Sequence, residues 1–183
     1  MSIPDDILLF GGFALAHAAY SICDVPAGEL LVPLFISEHQ GKREVQRFEA
    51  ATQEEAITAA KRHIEAVDGT LELWTFSREG SMVLPDGSRT DVISVDASSA
   101  LFRHRLSIIQ SFRPASHPEG FALMGSPLVA LDGDEMSPED QIALRRIIDE
   151  GFAMHPAASA VKRNDCQPDG REPLIFAVGR PES

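Results

Sequence analysis

Residues 71–113 read LELWTFSREGSMVLPDGSRTDVISVDASSALFRHRLSIIQSFR, and this stretch decides the fold. It contains four strand-like runs, Leu71 to Ser77, Ser81 to Leu84, Arg89 to Asp96 and Leu106 to Arg113. Pro85-Asp86-Gly87-Ser88 supplies a turn between two of them, because proline presets φ and glycine tolerates positive φ. A parallel return to the same sheet needs a crossover of about a dozen residues or more. Connections as short as these therefore predict antiparallel neighbours.

Working outward, Phe121 to Leu131 reads as a further strand, and Leu30 to Ser37 with Arg43 to Glu49 as a hairpin around His39-Gln40-Gly41-Lys42. Gly41 can take the positive φ such a turn requires. Pro33 has no N–H to give a ladder, which places its strand at a sheet edge or marks a bulge. Leu174 to Val178 is apolar enough for a last strand, and 157–173 is a loop-rich tail.

Three helices frame these strands. Thr52-Gln53-Glu54-Glu55 is a capping box that opens a helix to Val67, with Ile57, Ala60, Ile64 and Val67 on its apolar stripe and Asp68-Gly69 as its stop. Ser137-Pro138-Glu139-Asp140 begins another, running to about Met154, with Arg145/Asp149 and Arg146/Glu150 as i,i+4 pairs. Ser2, Pro4, Asp5 and Asp6 begin the first, which runs to about Cys23.

The segment from Ile7 to Cys23 is nearly free of charge, but acids flank it where a signal peptide wants Lys or Arg. As a helix it spans ~26 Å against a hydrocarbon core of roughly 30 Å, so it reads as buried rather than membrane-spanning. Gly11, Gly12 and Ala16 within it permit close approach of another backbone, either the sheet or a second copy of the chain; the second case is a homodimer through these residues. The expected architecture is one α+β domain over 1–183. It has a single antiparallel sheet, a buried N-terminal helix and two further amphipathic helices packed on the sheet.

Composition bounds the function. The chain has 183 residues, a net charge of −12 at pH 7, 44% apolar residues and 24% charged ones, which argues against disorder, collagen-like repeats and a multispanning membrane protein. At this size roughly 70% of the unfolded surface can be buried without metal or disulfide staples. Arg103, His104, Arg105 and Arg113 are the one concentration of cations, too few for a nucleic-acid tract on so acidic a chain. Cys23 and Cys166 are distant and lack a CxxC spacing, which fits reduced thiols in a cytoplasmic protein.

Motifs for catalysis are sparse. No GxGxxG or GxxxxGK[ST] loop occurs, and Gly125-Ser126-Pro127 is a fragment of a nucleophile elbow, better read as a strand break. The six histidines form no HxH or HxxxH pair. Asp132-Gly133-Asp134-Glu135 resembles the start of a calcium loop, yet the twelfth position, where a glutamate belongs, is Ala143. An acidic helix start explains it more simply, so no metal or cofactor is expected. Trp74, alternating with Glu72 and Phe76, reads as core, and His17 with Tyr20 as a hydrogen-bonded core pair.

Two functional readings result. The leading one is a non-catalytic protein-binding domain that presents Asp132, Asp134, Glu135, Glu139 and Asp140, five carboxylates within nine residues, to a basic protein partner. An inhibitor or immunity-type protein is one concrete form, since charge complementarity selects partners and speeds association. The alternative is a small metal-dependent hydrolase using Glu79, Asp91, Asp96 and His104. That reading requires all four to converge, although Asp91 and Asp96 face opposite sides of a regular strand unless a bulge or strand end intervenes.

Overall fold

The computed structural model describes residues 3–166. Helix α1 (Asp5–Ile22) is followed by strands β1 (Leu34–His39) and β2 (Lys42–Arg47), helix α2 (Gln53–Val67), and strands β3 (Leu73–Val83), β4 (Arg89–Ser98) and β5 (Leu106–Arg113). Short strands β6 (Ala122–Met124), β7 (Leu128–Leu131) and β8 (Asp134–Glu135) lead to α3 (Pro138–Ala153), a 3-10 turn (Ala158–Ala160) and β9 (Arg163–Asn164). Among the described residues these strands form one sheet in the order β2-β1-β3-β4-β5-β6-β9, with β7 also on β5 and β8 beyond β7. Pairing is antiparallel throughout except for the two-residue contact of β6 with β9.

This is the expected α+β architecture with local differences. Two of the runs fuse into the single long β3, while the run from Phe121 to Leu131 splits in two. The split falls at Gly125, where φ is +64°. Gln110, fully buried, spans the break by donating to the carbonyls of Met124 at 2.9 Å and Gly125 at 3.4 Å. Pro33 sits just ahead of β1, and its carbonyl accepts from Phe48 N–H. The outer strand is β2, wholly exposed, and its charges at Lys42, Arg43, Glu44 and Arg47 discourage edge-to-edge pairing. The tail beyond 157 is less irregular than expected, holding the 3-10 turn and β9; Leu174 to Val178 lies outside the described residues.

Each face of the sheet has its own core. Cross-strand partners point the same way, so Leu34, Ile36, Ile93, Val95, Ala97 and Ile108 form one apolar surface, and α1 lies on it. On the other face Phe35, Trp74 and Phe76 are covered by Ala56, Ala60 and Ile64 of α2, whose capping box forms as read from Thr52 and Glu55. Trp74 is core, 0% exposed.

Helix α1 is buried from both sides because α3 packs on its outer surface. A Cβ on Gly12 would fall 2.0 Å from the Ile148 carbonyl oxygen, and one on Gly151 would fall 2.0 Å from that of Leu9. A Cβ on Gly11 would lie 2.6 Å from the Ile108 side chain. Gly11, Gly12 and Ala16 are therefore consumed within the chain and leave no face for a homodimer there. This corrects the second of the two uses the sequence allowed. The first turn also differs: Ser2 lies outside the described residues, Pro4 holds the cap position, and no side chain caps it.

The far end of this helix pair is closed by His17 and His155 rather than His17 and Tyr20. Ala157 N–H donates to His155 Nδ1 at 3.1 Å, which leaves the His155 proton on Nε2, facing His17 Nδ1 at 3.1 Å. His17 then carries its own proton on Nε2. Tyr20 stays 47% exposed, 6.4 Å from His155 between ring centroids. Burial lowers the pKa of both imidazoles, and at His17 the His155 and Arg47 charges lower it further.

Two outcomes test this packing. Gly12→Ala and Gly151→Ala should each cost about 3 kcal/mol, since backbone cannot move aside as a side chain can. Urea unfolding checks this, and wild-type stability would mean that the helices do not cross there. Because the folded state lowers both histidine pKa values, it favours neutral rings: their contribution is complete above the unfolded value of about 6.5 and is lost as pH falls through the lower folded values. Thermal melts from pH 8 to 5 should fall less steeply in His155→Phe than in wild type; parallel pH profiles would contradict the pairing.

Candidate functional site

The acidic stretch from Asp132 to Asp140 is built from three small devices, not one helix start. Leu131 pairs with Asp134, so Asp132 and Gly133 form a two-residue hairpin turn with φ of +52° and +93°. Asp-Gly suits a turn that needs positive φ at both positions. Asp134 and Glu135 make up β8, and Ser137 caps α3, its hydroxyl accepting from Asp140 N–H at 3.2 Å and donating to the Asp140 carboxylate at 2.7 Å. All five acids are exposed.

A buried amide locks these devices together. Gln141, 3% exposed, accepts Val129 N–H at 2.9 Å and donates to the Val129 carbonyl at 2.8 Å and the Met136 carbonyl at 3.3 Å. It satisfies β7 where no further strand does and fixes the hairpin to the first turns of α3. Arg145 adds a bond to the Pro127 carbonyl at 2.7 Å, and Asp149 pairs with Arg163 at 2.7 Å rather than along the helix.

Asp132 is engaged within the fold. Its Oδ1 accepts Arg105 N–H at 2.8 Å and its Oδ2 lies 2.6 Å from His104 Nδ1; the Arg105 N–H, then His104, holds the carboxyl below the usual carboxylate range. Asp134, Glu135, Glu139 and Asp140 form no ion pair among the described residues.

The four residues of the hydrolase reading do not converge. Glu79 and Asp91 fall by register on the α1 face of the sheet, and Glu79 accepts Leu31 N–H at 2.8 Å. Burial pushes the Glu79 carboxyl up, the Leu31 bond opposes this, and the Asp91 charge adds to it. Asp96 points to the opposite face, bonded to Arg78 at 2.8 Å and Ser107 at 2.7 Å. His104 stands in the β4–β5 loop against Asp132. No group of three or more metal-binding side chains occurs among the described residues. The sheet itself separates these carboxylates, so the four residues do not form one site.

The chain matches no protein-family model. Comparison with curated proteins and with solved structures found no match. Among the described residues, no helix is long and apolar enough to cross a membrane.

One exposed residue escaped the sequence reading. Leu101, at the tip of the β4–β5 loop, is 99% exposed. The loop beneath it is braced: Ser98 Oγ donates to the Phe102 and His104 carbonyls at 2.9 Å, Phe102 N–H donates to Ser99 Oγ at 3.0 Å, and Ala100 N–H donates to the Leu71 carbonyl at 3.0 Å. The Ser98-Ser99 pair was the available signal, since serine hydroxyls readily bond nearby backbone. The cations are divided as well. Arg103 and Arg105 lie at this end of β5, and Arg113 at the other, paired with Glu119.

The Gln141 clamp makes a direct prediction. Gln141→Leu strands the buried Val129 N–H, while the Val129 carbonyl keeps the Met136 N–H at 3.1 Å, and should cost about 2 kcal/mol. Urea unfolding measures it, and an unchanged midpoint would show that the clamp carries no weight.

Proposed function

We propose that this chain is a protein-binding domain that engages a basic protein partner through the strip from Asp132 to Asp140. The observation that carries the reading is the rigid mounting of exposed, unpaired acids. Asp134, Glu135 and Glu139 are held by a hairpin, a helix cap and the Gln141 clamp, and none of the three forms an ion pair among the described residues; the neighbouring charge of Arg145 is felt near Glu135. A strip already in its bound shape loses little conformational freedom on association, and its field steers a cationic partner toward it. Asp132 serves the mounting, bonded to Arg105 N–H and His104, while the other acids face outward.

Leu101 extends the surface. A fully exposed leucine on a braced loop suits an apolar pocket on the partner, as interface anchors do. Inhibition of a cationic protein, in the manner of an immunity protein, is the form of function that such a surface fits. A reducing, cytoplasmic setting belongs to the same reading, with Cys23 and Cys166 free.

Charge-matched variants test it. Asp134, Glu135 and Glu139 are changed to Lys in one protein, and the exposed Glu44, Glu49 and Glu54 in a control with the same net charge. Quantitative pull-downs from native lysate should lose the bound protein only in the first, and Leu101→Asp should lower recovery at unchanged thermal stability. Equal loss in both triple variants, or recovery unchanged in the strip variant, would overturn the reading.

A further inference from the structure

Beside the strip, on the face of the sheet that α2 only partly covers, lie two adjoining cavities of about 340 and 310 Å³ that share Trp74 and Arg105. The first is walled by the β4–β5 loop through Arg103, His104 and Arg105, and by the β7–β8 turn through Asp132 and Gly133. The second continues along β3 and β4 past Arg78 and Asp96. We propose that this groove binds a small organic oxyanion, a phosphoryl or carboxylate group held by Arg103 and Arg105.

The hydrogen-bonding state of the lining groups supports that chemistry. Both oxygens of Asp132 are occupied, one by Arg105 N–H and one by His104. Asp68 accepts the Trp74 Nε1–H at 3.3 Å, and Asp96 is taken by Arg78 and Ser107. The guanidinium groups of Arg103 and Arg105, in contrast, form no ion pair among the described residues. In the first cavity unused capacity therefore consists mainly of donors, whereas the second also holds Lys61 and the carboxylate of Glu65; the planar guanidinium fork matches an oxyanion edge.

Arg105 is also positioned. Its guanidinium carbon lies 5.6 Å from the Trp74 ring centroid, within cation–π range, and its own N–H is fixed on Asp132. With His104 Nδ1 facing Asp132, its Nε2 is the ring nitrogen left for a ligand. The first cavity falls within the range of about 300–1,000 Å³ usual for small-molecule sites. Because the groove is open to water, binding weakens as salt screens the charges.

Trp74 is the only tryptophan in the chain and lies in the wall of both cavities, so the protein carries its own reporter. The full chain is titrated with inorganic phosphate, pyrophosphate or citrate at constant ionic strength, reading Trp74 emission and backbone amide shifts of residues 98–105. A saturable response with a dissociation constant on the order of 1 mM or tighter is expected. Comparing the phosphates with citrate tells phosphoryl from carboxylate ligands. Arg103→Gln should weaken binding about tenfold, Arg105→Gln at least as much, and Arg146→Gln, on the exposed side of α3, should leave it unchanged. The amide shifts keep the result readable where loss of Arg105 alters emission by itself. No saturable response to any of the three anions, or equal binding by a folded Arg103→Gln, Arg105→Gln double variant, would overturn the proposal.

Discussion

The carbonyl oxygens of Ile148 and Leu9 occupy the space that side chains on Gly12 and Gly151 would fill, and this backbone contact between α1 and α3 underlies the remaining arrangement. It lets a nearly uncharged helix be apolar all round: one surface lies on the sheet at Ile93, Val95 and Ile108, the other beneath Ile148 and Phe152. Helices in ordinary contact keep their axes about 8–10 Å apart, and bare glycine backbone is what permits a closer approach. His17 and His155 then close the far end of the pair with neutral rings.

The consequence for function runs through α3. Its last turns are fixed on α1, and its first turns are fixed on β7 by Gln141, so the carboxylates of the capped end stand at a set angle to those of the β7–β8 hairpin. The Asp132 contact with Arg105 N–H and His104 then ties the hairpin to the β4–β5 loop. One end of the sheet thereby carries outward acids, an exposed leucine and a groove in which Arg103 and Arg105 form no ion pair among the described residues. Opposite charges so close together favour a partner or ligand of defined shape over nonspecific attraction.

Much of this was legible from local signals. The capping box at Thr52, the turn at Pro85 to Ser88 and the proline-acid start of α3 depend on nearby residues, and each formed. The antiparallel sheet followed from short connections. What local patterns could not carry was which surface each helix meets: Gly11, Gly12 and Ala16 announced a close approach, but only the tertiary fold assigns it to α3 and the sheet. The hydrolase reading failed where local alternation had already warned: β4 runs without a bulge, so Asp91 and Asp96 face opposite sides, and the register with β3 adds Glu79 to the side of Asp91. Asp132-Gly133 was a readable hairpin signal that the neighbouring acids obscured.

Native-state hydrogen exchange tests the central claim, that α1, α3 and the acidic end of the sheet form one cooperative body. Amides in the middle of α1 and α3, and that of Val129, should exchange with free energies close to global unfolding, matching those of β4 and β5. Exchange of α3 and Val129 through a separate, much lower-energy opening would contradict it, since the strip would then be displayed by a segment that detaches from the core.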